Sequence, residues 1–427
     1  MKYQAVVWDL DGTLTDSAPG IMQSVRYALD KMNYPPLEEN VLRKFLGPPL
    51  AESFQQFCGM SHEEAIQATH FYKEVYNQTN WKKNAVYPGI RPLLEQLKRQ
   101  GCYLAVATGK PLNIAKKVLD YFCLSHLFER IIGPCETQYY AKKEDAIADA
   151  LQGRKDAVMV GDRSMDVNGA RVYGIPSIAV AYGYGSQEEF AQCQPDEISQ
   201  TVQGLYPLLG VEQAERKGYF ISIEGNDGCG KSTQADLLAK RLYEFGYDVL
   251  KTREPGGSPV SEKIRGILLD KENDSMCGMT ESLLFAAARA QHVREIIRPA
   301  LSRGQVVITD RFVDSSVAYQ GAGQQLGEQL VSQINAPAVD GCYPDTTVYL
   351  DIDYQIAMKR RESASEVDRI EQFSDQFHER VQQSFKRLNA ENPDRYLRVD
   401  ANQDIQTIAD TVFYGIMDRM SVPCASL

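Results

Sequence analysis

The chain of 427 residues is 43% hydrophobic and 24% charged, with no low-complexity run, a composition that excludes disorder and can bury sizeable cores. Because single cores rarely grow beyond about 250 to 300 residues, two domains are expected. Forty-six basic against fifty-seven acidic residues leave a net charge of −11, which would repel a phosphate backbone and argues against nucleic acid as a partner.

Nine cysteines contain no C-x-x-C pair, so reduced thiols in a cytoplasm are expected. The N-terminus "MKYQAVVWDLDG" places an acidic pair where a signal peptide needs its apolar core to continue, and no apolar run is long enough to span a bilayer. A soluble protein without a membrane partner follows as the expectation.

The first strand is "AVVW" at 5–8, and strands recur as "YLAVAT" at 103–108, "AVMVG" at 157–161 and "SIAVAY" at 177–182, with helical patterns between them. This alternation predicts an α/β fold with a parallel sheet covered by helices. Between the first two strands, "IMQSVRYALDKM" and "EEAIQATHFYKEVY" carry apolar residues at three- and four-residue steps, predicting a small helical cap over about 16–85.

Asp9 and Asp11 in "WDLDGTLTDS" directly follow the first strand, and Gly12 permits the turn. Ligands of open α/β sheets bind beyond the carboxyl ends of strands. Thr108 in "VATGK", Lys143 in "AKKEDAIADAL", and Asp162 with Asp166 in "VGDRSMD" stand at such ends, with Lys142 the neighbouring candidate for Lys143. Taken singly, these are a solvated turn, a strand cap, a surface charge and a helix cap; their order and common placement point to one site.

These segments, with "FLGPPL" and "AYGYGS", resemble the haloacid dehalogenase phosphatase superfamily over about residues 1–209, in its phosphoglycolate phosphatase and 5'-nucleotidase branch. The resemblance implies that Asp9 takes the phosphoryl group as an aspartyl-phosphate, and that Asp11 protonates the leaving oxygen and later activates water. Mg²⁺ would be held by Asp9, Asp162 and the carbonyl of Asp11, with Asp166 supporting. Thr108 and Lys143 would hold the transferring oxygens. Phosphoglycolate and a nucleoside monophosphate are the two open substrate readings, and a non-catalytic regulatory or dimerisation module is the alternative from another class.

Turn-prone Pro207 and Gly210 in "YPLLGVEQAERKG" mark a join near residue 212, giving domains 1–212 and 213–427. Strands then restart at "YFISIE" 219–224, "YDVLKT" 247–252, "VVITD" 306–310 and "TVYLD" 347–351. "GNDGCGKST" spells G-x-x-x-x-G-K-[ST] between a strand and an amphipathic helix, the context that motif requires. Gly225, Asn226, Asp227, Gly228, Cys229, Gly230, Lys231, Ser232 and Thr233 are thus expected to bind ATP, with Lys231 on the β and γ phosphates and Ser232 on Mg²⁺.

Arg253 in "TREPGG" and Arg311 in "DRFVDSSVAYQG" both follow strand ends, as an acceptor phosphate would require. Phe285 and Arg289 are four apart on a helical pattern and share a face, so a ring could stack on a base while a guanidinium bonds its edge. Core packing and solvated arginines are the ordinary alternatives for each taken alone.

Four separated motifs between 218 and about 415 resemble the thymidylate kinase family in order. The resemblance implies a P-loop nucleoside monophosphate kinase fold and transfer from ATP to dTMP. Arg253 and Arg311 would bind the dTMP phosphate, Phe285 would stack on thymine, and Arg289 and Gln320 would read its edge. Tyr319 would disfavour a ribose 2'-hydroxyl and Asp227 would face the 3'-hydroxyl. Glu254 and Asp310 would hold Mg²⁺ or its waters, and "KRRESASEVDRIE" at 359–371 would be the lid. With Gly228 and Cys229 where some relatives carry an arginine, the catalytic guanidinium is expected from Arg360, Arg361 or Arg369. Phe312 departs from the Tyr or His more usual after "DR", which puts substrate contacts there in question. A homodimer is expected by the same resemblance.

Overall fold

The computed structural model describes residues 1–135, 140, 142–211, 218–362 and 374–420, the side chains of Arg361 and Glu362 excepted. The described residues fall into two compact units, each built mainly from one half of the chain, with Tyr243–Tyr247 grouped with the first. The join expected near residue 212 lies outside the described residues.

The first unit contains β1 (Ala5–Trp8), β2 (Thr15–Asp16), β3 (Ala85–Val86), β4 (Tyr103–Ala107), β5 (Arg130–Ile132), β6 (Ala157–Gly161), β7 (Ser177–Val180) and β8 (Glu197–Ser199). Six of these form a parallel sheet in the order β5-β4-β1-β6-β7-β8. All four residues of β1 are buried, as a parallel strand covered by helices on both faces must be. Val7 packs with Ala105, Met159, Ile147 and Ala150 in the core beneath it. The strand order reverses at β1, opening a crevice at its carboxyl end.

β2 and β3 pair antiparallel, Thr15 opposite Val86, where the chain leaves the sheet and returns. Between them lie the helices Ala18–Lys31, Glu39–Leu42, Leu50–Cys58 and His62–Gln78, which form the expected cap. The last begins at a capping box in which Ser61 and Glu64 satisfy each other's backbone N–H groups, a device that stabilises a helix start by about 1 kcal/mol.

The second unit contains β9 (Tyr219–Glu224), β10 (Val249–Arg253), β11 (Val306–Asp310), β12 (Thr346–Asp351) and β13 (Tyr396–Asp400). They form a parallel sheet in the order β10-β11-β9-β12-β13. Both units are therefore α/β with parallel sheets, and the sheet strands beyond those predicted, β5 and β8 in the first and β13 in the second, all lie at an edge. Helix Lys231–Glu244 follows β9, and helix Gly278–His292 packs against helix Pro259–Leu269. After β11 the chain enters a short helix, Val313–Ser316, and then a π-helical stretch, Val317–Gly323, a form concentrated at functional sites. Among the described residues no helix is long and apolar enough to cross a membrane.

Candidate active sites

In the first unit Asp9 stands directly after β1, buried, and its neighbours in the sheet bring the other groups to the same level. Trp8 is in register with Val106 and Val160, so Thr108 and Asp162, two residues beyond those partners, lie at the same mouth as Asp9 and Leu10. Lys143, the first residue of helix Lys143–Leu151, places Nζ 2.5 Å from Asp9 Oδ1 and 2.9 Å from Asp166 Oδ1. Lys142 points away, exposed, with its ammonium 3.6 Å from Glu144, so Lys143 is the residue that reaches the site.

Asp162 accepts from Thr13 Oγ1 at 3.2 Å and from the Tyr184 amide at 2.8 Å. Asp166 caps its own helix, accepting from the Arg163 amide at 3.1 Å. Gly12 has φ +85°, and a Cβ there would collide with the Asp162 carboxylate, so only glycine lets the turn after Asp11 pass this close. Thr108 is buried and its hydroxyl accepts from the Lys110 amide at 3.1 Å.

Ligand oxygens of Asp9, Asp162 and Asp166 lie within 4.8 Å of one another, all three residues buried. Burial pushes the Asp9 carboxyl up to about 7 against the pull of Lys143, and burial with the neighbouring Asp9 and Asp166 raises Asp162 well above the usual range. Burial would lower the Lys143 ammonium, but Asp166 and Asp9 outweigh it and hold it above its ordinary value. Three buried carboxylates facing one ammonium keep an excess of negative charge, and an all-oxygen donor set suits a hard divalent cation. The residues therefore fit Mg²⁺.

In the second unit the loop over residues 225–230 joins β9 to helix Lys231–Glu244, whose first turn holds Lys231, Ser232 and Thr233. Lys231 Nζ lies over it, donating to the carbonyls of Gly225 at 3.1 Å and Asn226 at 2.7 Å. Ser232 Oγ donates to Asp310 Oδ2 at 2.5 Å, which brings together the two groups expected at a second Mg²⁺. Gly228 has φ +79°, the left-handed backbone that turns amides inward toward an anion.

A cavity of about 580 Å³ adjoins this loop, with Asp227, Lys231, Ser232 and Thr233 on one side and Arg253, Phe285, Arg289, Arg311, Tyr319, Gln320 and Arg360 on the other. Arg311 holds a left-handed backbone, φ +69°, which costs a non-glycine residue on the order of 1–3 kcal/mol. Its guanidinium pairs with Asp227 and donates to Ser315 Oγ at 3.0 Å and Tyr319 OH at 3.2 Å, while Tyr319 donates to Asp227 at 2.8 Å. Behind it Glu224 accepts from the Phe312 amide at 2.7 Å and Ser315 Oγ at 2.6 Å. Burial, reinforced by Asp314, pushes the Glu224 carboxyl up to about 7.

Arg289 is almost fully buried and held on every side: Nε to Glu254 Oε2 at 2.8 Å, Nη1 to Ser316 and Asn335, and Nη2 to the Phe312 carbonyl at 3.2 Å. Glu254 Oε1 is taken by His292 Nδ1 at 3.0 Å. Each oxygen of Glu254 thus accepts one hydrogen bond, which ties this carboxylate to Arg289 and His292. Gln320 donates through Nε2 to Glu281 at 2.9 Å, and its buried Oε1 has no hydrogen-bond partner among the described residues. An unsatisfied buried acceptor in a cavity suits a donor on a ligand.

Arg253 is more exposed and pairs with Glu262 at 3.0 Å. Arg360 lines the cavity and donates to the Ala401 carbonyl at 2.9 Å. The Arg361 side chain, Arg369 and most of the expected lid lie outside the described residues. Phe312 is fully buried against Phe220, ring centroids 5.0 Å apart, with the Arg289 guanidinium 5.3 Å from its ring. Phe312 therefore forms part of the packing beside Arg289.

Residues 223–412 match the family model for thymidylate kinase. A thymidylate kinase of Exiguobacterium sp. is 43% identical over 203 residues, 48% of this chain and 96% of the relative. The chain belongs to the thymidylate kinase family. The thymidylate kinase of Caldanaerobacter subterraneus is 48% identical over 204 residues, 48% of this chain and 97% of that protein. This thymidylate kinase half is preceded by residues 6–180, which match the family model for haloacid dehalogenase-like hydrolase. A solved structure described as a predicted phosphatase from Clostridium acetobutylicum is 39% identical, covering 49% of this chain and 99% of that one, with a TM-score of 0.46.

Several polar groups of these sites were not singled out in the sequence. Lys110 donates to both Asp11 oxygens at 2.9 Å, and Tyr184 OH accepts from the Ser17 and Ala18 amides at 2.7 and 3.0 Å. Glu224, Glu281 and His292 support the kinase cavity from behind. Only Lys110 had a visible signal, since it stands two residues past Thr108 at the same strand end.

Proposed function

We propose that the chain is bifunctional. Its C-terminal unit, 213–427, transfers the γ-phosphoryl group of ATP to dTMP, giving dTDP and ADP. Its N-terminal unit, 1–212, hydrolyses a phosphomonoester through an aspartyl-phosphate. The observation that carries the kinase reading is the single cavity that adjoins the phosphate loop and contains Arg311, Phe285, Arg289 and the unpartnered Gln320 Oε1.

In that cavity Lys231 and the loop amides bind the donor phosphates. Arg311 and Arg253 hold the acceptor phosphate in line, Phe285 stacks on the base, and Gln320 Oε1 accepts from its N–H with Arg289 alongside. Tyr319 and Asp227 border the sugar. Arg360 supplies charge at the transferring group, with Arg361 and Arg369 as the other lid candidates. Ser232 and Asp310 would hold Mg²⁺, with Glu254 acting on Arg289.

In the first unit Asp9, Asp162 and the Asp11 carbonyl would hold Mg²⁺, which when bound offsets charge between phosphate and carboxylates. Asp9 attacks phosphorus, Lys143 and Thr108 hold the phosphoryl oxygens, and Asp11 gives a proton to the leaving oxygen and takes one from the attacking water. A phosphatase acting on dTMP would destroy the acceptor of the kinase in the same chain, which favours phosphoglycolate or another small phosphoester.

The test is ADP formation by the full chain with Mg-ATP and dTMP, UMP or CMP, beside phosphate release from a phosphoester panel. Lys231→Ala should remove only the first activity and Asp9→Asn only the second. Preference for UMP or CMP would defeat the kinase assignment, and phosphate release that survives Asp9→Asn would defeat the phosphatase one. Light scattering tests the accompanying expectation of a homodimer.

A further inference from the structure

We propose that Lys110 and Tyr76 are a positioning pair that aims Asp11 at the leaving oxygen, and that the pair is complete only with the cap docked on the sheet. This rests on the phosphatase reading. Lys110 is buried, and its ammonium spends all three donors in one place: 2.9 Å to each Asp11 oxygen and 2.7 Å to Tyr76 OH. An ammonium equidistant from both carboxylate oxygens fixes the rotation of the carboxyl group, which otherwise swings freely about its Cβ–Cγ bond.

The three groups come from three places. Asp11 follows β1, Lys110 follows β4, and Tyr76 belongs to the cap helix His62–Gln78. Tyr76 is buried and stacked on Tyr72, centroids 5.2 Å apart and planes within 16°, so its hydroxyl is aimed by the packing of the cap. Lys110 Nζ also lies 5.1 Å from the Tyr76 ring centroid. Lys143 serves Asp9 and Asp166 in the same way on the other side of the site. The two buried ammoniums thus divide the carboxylates between them, one by the phosphoryl group and one by the proton donor.

The chemistry gives the pair its purpose. As Asp9 forms its bond to phosphorus, the bond from phosphorus to the ester oxygen breaks, and that oxygen takes the proton of the Asp11 carboxyl group. Water then attacks the aspartyl-phosphate, returns a proton to Asp11, and the bond from Asp9 to phosphorus breaks to release phosphate. General acid help needs the donor within about 2.6–3.2 Å of the accepting atom, so a freely rotating Asp11 would lose it. An ester whose leaving group departs as a stable anion does not need that proton.

The experiment compares kcat/KM of the full chain on 2-phosphoglycolate and on 4-nitrophenyl phosphate for wild type, Lys110→Met, Lys110→Arg and Tyr76→Phe. General acid catalysis contributes about 10²–10⁴-fold. Lys110→Met should therefore lose roughly 100-fold or more on the alkyl ester, Tyr76→Phe about tenfold, and both within about threefold on the aryl ester. Lys110→Arg should recover part of the loss. Retained hydrolysis of the aryl ester reports that the first unit is folded, and Tyr76→Phe keeps the ring stack. Equal losses on the two esters, or an unchanged Tyr76→Phe on the alkyl ester, would overturn the pair while leaving the phosphatase reading intact. A wild type that hydrolyses neither ester takes down that reading and the pair with it.

Discussion

Replacing Glu254 by glutamine separates two functions that its position near the phosphate loop allows. Its carboxylate is about 3% exposed, with Arg289 Nε at 2.8 Å on one oxygen and His292 Nδ1 at 3.0 Å on the other. Glutamine keeps the shape and can still accept from Arg289 through Oε1, while its amide N–H faces His292, whose Nε2 then donates to Thr252 Oγ1 at 2.7 Å. What is lost is the charge on the acceptor. A hydrogen bond to a charged group is worth about 1.5–3 kcal/mol, and each 1.4 kcal/mol is about tenfold. A group that only orients Arg289 should therefore lower kcat/KM for dTMP by roughly 10- to 150-fold when changed. Glu254→Gln belongs at the low end and Glu254→Ala at the high end, with Glu254→Ala also destabilised because an arginine is left buried without its partner. The assay is steady-state ADP formation with dTMP varied at several fixed Mg²⁺ concentrations. A shift in the Mg²⁺ dependence with an unchanged KM for dTMP would refute the argument and return Glu254 to the metal.

Two further outcomes follow from the same cavity. Phe285→Ala should raise the KM for dTMP by roughly 5- to 150-fold, from about 1–3 kcal/mol of base stacking, with little change in the KM for ATP; equal effects on both substrates would place the ring elsewhere. Glu224 is pushed up to about 7 in the folded protein from an ordinary value of 4.5. Its sign is that of a raised acid: the stability it contributes is present below about 4.5 and is lost as pH rises through about 7. Relative to Glu224→Gln, wild type should lose stability between pH 5 and 7, by at most about 1.4 kcal/mol per pH unit, read as the difference in melting temperature. A difference that does not change with pH would sink this.

What the sequence made legible is what lies within a few residues of a buried strand end. Asp9, Asp11, Asp162, Lys231 and Arg311 all stand there, and the parallel register then brings them to common mouths. The three strands of the parallel sheets that went unread are edge elements, "RII", "EIS" and "YLRVD", whose charged residues break the apolar run that marks a strand. Glu254 was legible as a carboxylate at a strand end, but its partners sit 35 and 38 residues away on helix Gly278–His292. Tyr76 reaches Lys110 only through the packing of the cap, which no spacing along the chain encodes.

Each unit begins with the strand that ends up in the middle of its sheet. β1 has β4 and β6 beside it, and β9 has β11 and β12, whereas the edge strands β8 and β13 have one neighbour each. During synthesis Val6 must therefore wait for Leu104 and Val158, and Ile223 for Asp310 and Val348, before either strand is paired. A central strand of each unit is thus the one longest left unpaired as the chain grows, so both units fold through non-local closure. Trimming at the start of a unit would remove two ladders at once, and trimming β13 only one.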